Sequence, residues 1–235
     1  QNKYRAQIIP QWQAMCKAVD IPGTQPFSLE KFLGNPLHIQ DWKLQQLPSD
    51  SFSIDNAIVL TNARRWPLLV DPQQQANKWI RNIEKARLVV VRPTEGDMVK
   101  NITTAVREGK AVLLENVEED LDPVLENLLL KRVVREGNSM TVSIGGDPVE
   151  YNDKFKLYIT TKLPRPHYRP EVSTKVALIN FMITEGGLRD QLLGKVVAFE
   201  KPEVETKKQA MTIEMAQVRV SLKETEDQIL ALLSS

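Results

Sequence analysis

Leu68-Leu69-Val70-Asp71-Pro72-Gln73-Gln74-Gln75-Ala76-Asn77-Lys78-Trp79-Ile80 is laid out as a short apolar strand, a turn and an amphipathic helix with a lysine near its start. A phosphate-binding loop has this layout and reads G-x-x-x-x-G-K-[ST]. Its glycines let backbone N–H groups curl around phosphate, its lysine neutralises the charge and its hydroxyl holds Mg²⁺. Aligned on Lys78, the glycine positions carry Pro72 and Asn77, and the hydroxyl position carries Trp79. Asn tolerates left-handed backbone, so Asn77 is a mild loss. Pro72 has no N–H to donate and fixes φ. Trp79 cannot ligate a metal, and its ring would need room beside the β-phosphate. The stretch reads either as a nucleotide-binding loop stripped of its chemistry, or as an ordinary Asp71-Pro72 turn ahead of an amphipathic helix.

Outward from this loop, short apolar runs at 68–70, 88–91, 111–114, 157–159 and 176–183 alternate with helix candidates at 75–84, 97–108 and 123–134. Continuous apolar strands separated by helices predict a doubly wound α/β domain, a parallel sheet covered on both faces. Ligands of such folds bind at the carboxyl ends of the strands. Residues 140–151 alternate around Gly145-Gly146-Asp147 and predict an inserted β-hairpin. Before residue 50 the chain is helical and loop-like, punctuated by Pro22-Gly23, Pro26, Gly34, Pro36 and Pro48, with Trp12 and Trp42 expected to anchor it to a core.

A working nucleotide site needs a second acidic strand. Here the strand at 111–114 runs into Glu115-Asn116, where the carboxylate is lengthened by a methylene and the general-base position carries an amide that accepts no proton. The strand ending in Thr160-Thr161 offers a hydroxyl where AAA+ proteins place a γ-phosphate sensor. Lys175 stands near where such assemblies present an arginine to a neighbouring module, without that residue's bidentate fork. Two degenerate sites in the proper order on the proper strands favour a degraded AAA+ module over the unrelated turn.

Bulk properties restrict the alternatives. At 235 residues the chain can bury one substantial core, or one domain and an appendage. A net charge of +1 provides no global field for nucleic acid or an anionic membrane, and Arg64-Arg65 and the basic residues at 132–135 are short patches. The lone Cys16 excludes an intramolecular disulfide framework and suits a reducing compartment. His38 and His167 are far apart and give no metal-ligand spacing, so no metal is expected. No run approaches a membrane span, and the polar start carries no apolar signal segment. The expectation is a soluble intracellular chain, cut from something larger because both ends fall in helix-like sequence.

After Gly194 the pattern changes. Met211, Met215, Val218, Leu222, Thr225, Ile229 and Leu232 step by four and three residues, an a/d seam flanked by Lys, Glu and Gln. A helix of this kind is marginal alone and requires a partner. Pro202 stands near its start, where proline is tolerated. Packing on its own domain is the alternative to a coiled coil.

Several segments together resemble the dynein heavy chains. They are Ser53-Ile54-Asp55-Asn56-Ala57-Ile58-Val59, Arg65-Trp66-Pro67-Leu68-Leu69-Val70-Asp71-Pro72-Gln73 and Ala76-Asn77-Lys78-Trp79-Ile80, then Val112-Leu113-Leu114-Glu115-Asn116-Val117 and Leu121-Asp122-Pro123. Tyr158-Ile159-Thr160-Thr161-Lys162-Leu163 and Asn180-Phe181-Met182-Ile183-Thr184 complete the set. The likeness covers nearly the whole chain and is nearest to the fifth AAA+ module of an axonemal heavy chain. It implies a six-module ring in one polypeptide, with a fifth module that is structural, non-catalytic and nucleotide-free. From that module projects an antiparallel coiled coil, the buttress, which contacts the microtubule-binding stalk. By this resemblance residues 1–55 are a helical lead-in, 56–185 the degenerate large domain, and 186–235 the start of the small subdomain and the first buttress helix. Pro72, Asn77, Lys78, Trp79, Glu115, Asn116 and Thr160 are remnants of the nucleotide site, and Met211, Met215, Val218, Leu222 and Ile229 form the buttress seam. The implied partners are the neighbouring modules and the stalk, with the microtubule reached indirectly and neither nucleic acid nor membrane involved. The implied location is the cytoplasm and cytoskeleton of a cilium or flagellum. Static binding of ATP or ADP through Lys78 and the helix N-terminus is the alternative to an empty site, and a local salt bridge is the expected use of Lys78 if the site is empty.

Overall fold

The computed structural model describes residues 2–22, 27–137 and 139–233. Four helices lead in: α1 (Asn2–Ala18), α2 (Leu29–Leu33), α3 (Pro36–Leu44) and α4 (Ser51–Asn62). The α/β alternation follows with β1 (Pro67–Val70), α5 (Gln75–Glu84), β2 (Leu88–Val91), α6 (Met98–Glu108), β3 (Ala111–Leu114) and α7 (Glu126–Leu129). Then come β4 (Val133–Glu136), β5 (Ser139–Ile144), β6 (Asp147–Glu150), β7 (Lys156–Thr161), α8 (Pro170–Ser173) and β8 (Ala177–Asn180). The chain finishes with α9 (Glu185–Glu200) and α10 (Pro202–Leu233). Of the lead-in punctuation, Gly23 and Pro26 lie outside the described residues.

The main sheet is parallel throughout, in the order β2-β3-β7-β1-β8. Its strands are short and apolar because both faces are covered. Leu68, Val112, Leu114, Leu157 and Ile159 face a core shared with Ile102 and Val106 of α6, Leu128 of α7 and Val142, Ile144 and Val149 of the second sheet. Leu69, Leu113, Tyr158 and Ile179 face the other way, into a core with Trp42 of α3, Ile54 and Ile58 of α4, and Trp79 and Ile80 of α5. Period-two alternation along β1, β3 and β7 thus feeds two cores, and the doubly wound architecture read from the sequence is the one observed.

Four local expectations change. The predicted helix at 123–134 stops at Leu129: Lys131 takes φ +51°, and the Arg132 N–H donates back to Asn127 O at 2.9 Å. The β-branched pair Val133-Val134 then joins a strand, pairing antiparallel with β5. The inserted hairpin β5–β6, turning on Gly145 and Gly146 at positive φ, is consequently part of a three-stranded sheet, β4-β5-β6. The run at 176–183 forms a strand only to Asn180, where the Asn180 Oδ1 accepts from the Met182 N–H at 2.9 Å and turns the chain. Trp42 is buried as expected, but Trp12 is 65% exposed, and among the described residues α1 contributes to neither core.

Helix α4 is capped by Asp50, whose carboxylate accepts from the Ser53 N–H at 2.9 Å, and it runs unbroken across the expected division at residues 55 and 56. At the other end α10 begins at Pro202 and is one continuous helix lying beside α9 and α3. Its seam residues Met211, Met215, Val218, Leu222 and Ile229 are all exposed, and the Thr225 hydroxyl donates to Ser221 O at 2.8 Å within the helix. Among the described residues no helix is long and apolar enough to cross a membrane.

Candidate functional site

The carboxyl ends of β1, β2 and β3 bring Asp71, Arg92 and Glu115 to one edge of the sheet, and α5 rises from that edge. The loop joining β1 to α5 has only four residues, 71–74, so the helix starts three residues before Lys78. Lys78 thus lies within the first turn of α5. Gln74 precedes the helix at φ +59°, a left-handed backbone that normally requires glycine, and it makes no side-chain cap.

The helix N-terminus is occupied by the chain itself. The Gln75 N–H donates to Asp71 Oδ1 at 2.8 Å, and the Asn77 N–H donates to Asp71 Oδ2 at 2.9 Å. Asp71 is 2% exposed, and its own N–H is fixed on Thr161 O at 2.9 Å. Burial pushes the Asp71 carboxyl above its usual range, while the amides of Asn77, Gln75, Ala76 and Gln74 pull it down.

Glu115 is engaged in the same manner. Its side chain is 6% exposed; Oε1 accepts from Arg81 Nη2, and Oε2 lies 3.7 Å from Arg92 Nε. Arg81 is steadied by its Nε donating to Asn77 Oδ1 at 3.1 Å, an i,i+4 contact on α5. The carboxylate that would position Mg²⁺ in a working site is therefore balanced by guanidinium groups. Because both guanidinium groups are half-exposed, solvent screens the pairing, and it is worth less than a fully buried ion pair.

The remaining expected site residues separate. Pro72 and Asn77 lie in or beside the closed loop, but Trp79 does not crowd a phosphate position. It is fully buried, edge-on to Trp42 at 5.9 Å and tilted against Phe181 at 6.1 Å, because its place on α5 faces the core. Its Nε1 has no hydrogen-bond partner among the described residues. Lys78 is exposed and, among the described residues, forms no ion pair, so the expected salt bridge is absent. Asn116 occupies φ +58°, a backbone role that Asn tolerates. Thr160 is buried in β7 opposite Leu69, its carbonyl accepting from the Val117 N–H at 3.0 Å. Lys175 is not held out toward a neighbour: it pairs with Glu126 at 2.7 Å and, through that hydrogen bond, holds the Glu126 carboxyl below its usual range. His38 and His167 are both exposed.

Sequence reasoning missed Asp71, Arg81, Arg92 and Gln191. Gln191 of α9 accepts from Gln75 Nε2 at 3.2 Å, which ties the loop helix to the C-terminal helices. The Arg81 contact had a signal in its i,i+4 spacing from Asn77. Arg92 had another, since it follows β2 as Glu115 follows β3, and those strands pair with Val91 opposite Leu114.

A family model described as the ATP-binding dynein motor region matches residues 40–235. The mouse (Mus musculus) dynein axonemal heavy chain 3 is 49% identical over 232 residues, covering 98% of this chain and 6% of that protein. The rat (Rattus norvegicus) dynein axonemal heavy chain 1 is 44% identical over 235 residues, covering 100% and 5%. The dynein-1-beta heavy chain of the flagellar inner arm I1 complex of Chlamydomonas reinhardtii is 42% identical over 237 residues, covering 100% and 5%. This chain thus spans a small fraction of the length of the relatives it matches.

Proposed function

The chain belongs to the ATP-binding dynein motor region family, as a segment of an axonemal-type heavy chain, and on that premise we propose that it is the ring's fifth AAA+ module, working as a non-catalytic mechanical element. In this reading residues 1–55 lead into the module, 56–185 form its large domain, and 186–235 begin the small subdomain and the buttress. The α/β block receives movement from neighbouring modules of the same heavy chain. Helix α10 passes it to the stalk, and the microtubule is reached only through the stalk, in the cytoskeleton of a cilium or flagellum. Nucleotide hydrolysis belongs to other parts of the parent motor.

The observation that carries this reading is the pairing of Glu115 with Arg81 and Arg92. A carboxylate so engaged is not free to position Mg²⁺, and the adjacent Asn116 supplies no base. The unbroken α10, with its seam exposed, is the part suited to transmit force. Its connection to the block runs through residues 199–204, where α9 gives way to α10.

Inserting two glycines within residues 199–204 of the full heavy chain tests the proposal. Expected is loss of coupling between the ring's ATP turnover and microtubule affinity, with basal turnover retained. Intact coupling would show that α10 is not the transmitting element. Static nucleotide binding is separately checked by calorimetric titration of this chain with Mg-ATP and Mg-ADP, where saturable micromolar binding would overturn the nucleotide-free reading.

A further inference from the structure

We propose that Asp71 is an intramolecular ligand: its carboxylate fills the phosphate cradle between β1 and α5 as an autoinhibitory contact, and an external phosphate enters only when that carboxylate is removed. The inference rests on the nucleotide-free reading above and concerns what enforces it.

The N–H groups engaged by Asp71 belong to Gln75 and Asn77, the fourth and sixth positions of the motif counted from Pro72. Those backbone donors are the ones a phosphate would use at the mouth of such a helix. An ordinary helix cap comes from the residue directly before the helix and reaches its second or third N–H. That residue here is Gln74, which makes no side-chain cap. Asp71 instead reaches back from the end of β1, and its two oxygens take the first and third N–H groups of the helix, as two phosphate oxygens would.

The cation side of the site is filled as well. Asn77, whose N–H holds Asp71, also holds Arg81 through Oδ1, and Arg81 donates to Glu115. One connected chain of contacts therefore supplies an anion where phosphate would sit and a guanidinium beside the carboxylate that would face Mg²⁺. The same cradle is fastened to α9 through Gln75 and Gln191. In a nucleotide-dependent module a ligand can bridge the sheet and the C-terminal helices; here the side chains make that bridge themselves.

The test is calorimetric titration of sodium pyrophosphate, at constant ionic strength, into the native chain, Asp71→Asn and Asp71→Ser. Amide exchange at Gln75 and Asn77 is followed in each, and folding is checked by circular dichroism and cooperative melting. Expected is no saturable binding by the native chain, and a gain of at least about tenfold in pyrophosphate affinity in both variants. Added pyrophosphate should slow exchange at Gln75 and Asn77 in the variants only. A role limited to capping predicts faster exchange without rescue by the anion, and that result would overturn the proposal while leaving the nucleotide-free reading intact. Saturable pyrophosphate binding by the native chain would overturn both. Should neither variant fold, the native chain still decides: rapid exchange at Gln75 and Asn77 would mean that the carboxylate does not occupy the cradle.

Discussion

Lys78 and Trp79 are neighbours in sequence and lie in opposite media: the lysine is exposed, whereas the indole is fully buried against Trp42 and Phe181. In a working phosphate loop the lysine is the residue that cannot be spared. In this chain the buried packing lies with Trp79 rather than with Lys78.

Trp79→Ala is therefore expected to destabilise the chain by about 3–5 kcal/mol, since it empties a close-packed site between α3, α5 and β8. Lys78→Ala should change stability by less than about 0.5 kcal/mol. Urea denaturation with an unchanged slope is the measurement, and comparable losses in the two variants would refute the assignment.

Arg81→Met leaves the buried Glu115 carboxylate with Arg92 alone at 3.7 Å. The expected cost is about 1–3 kcal/mol, toward the lower end because Arg81 is itself half-exposed and screened. Adding Glu115→Leu to that variant should recover part of the loss, because an apolar pair avoids the burial of a lone charge. A double-mutant cycle reads the coupling, and a value indistinguishable from zero would mean that the pair is ornamental.

At the opposite end of α5, Glu84 is buried and accepts from Tyr158 Oη at 2.8 Å and Lys156 Nζ at 3.0 Å. Burial, with the Glu84 charge beside it, pushes the Tyr158 hydroxyl far above its ordinary value. A phenol raised in the folded state contributes stability that is fully present below about pH 10 and is lost as pH rises beyond it, because the unfolded chain ionises first. Thermal melts from about pH 8 to 11 should show this alkaline fall. Tyr158→Phe should flatten it; an unchanged slope would assign the fall to other groups.

Gln74 holds φ +59° without a side-chain hydrogen bond capping the helix. Gln74→Gly should stabilise the chain by about 0.5–1 kcal/mol, the relief of left-handed strain exceeding the added entropy of the unfolded glycine. Asn116→Gly, at a similar φ of +58°, should gain less, because asparagine already accepts that conformation. Equal gains would show that strain is not the difference between the two sites.

Much of this arrangement was legible in the residues. The apolar strands flanking Lys78 and Glu115 announced a sheet covered on both faces. Ala76, Trp79, Ile80 and Ile83 fall on one face of a 3.6-residue period, so the burial of the indole and the exposure of Lys78 follow from helical phase, once the helix is known to begin at Gln75. Motif alignment obscured this by assigning each residue the role of its counterpart in an open loop. The reach of Asp71 back onto the helix was not legible, since it depends on a left-handed residue at Gln74 for which glutamine gives no signal. The strand at β4 was hidden by leucines that favour helix locally, and tertiary pairing with β5 prevailed.

The insertion between β3 and β7 also bears on how the chain reaches this structure. β3 and β7 are hydrogen-bonded neighbours at the middle of the main sheet, yet residues 115–155 separate them. Were that segment structureless, joining its ends would carry the full closure entropy of a long loop, and the central pairing would form late. Because β4, β5 and β6 pair through short connections, they can assemble first and draw Leu114 and Lys156 toward each other as a nearly preformed bracket. The small antiparallel sheet is thus expected to act on the folding rate as well as on packing: weakening its turn at Gly145 and Gly146 should slow folding of the whole parallel sheet more than it accelerates unfolding.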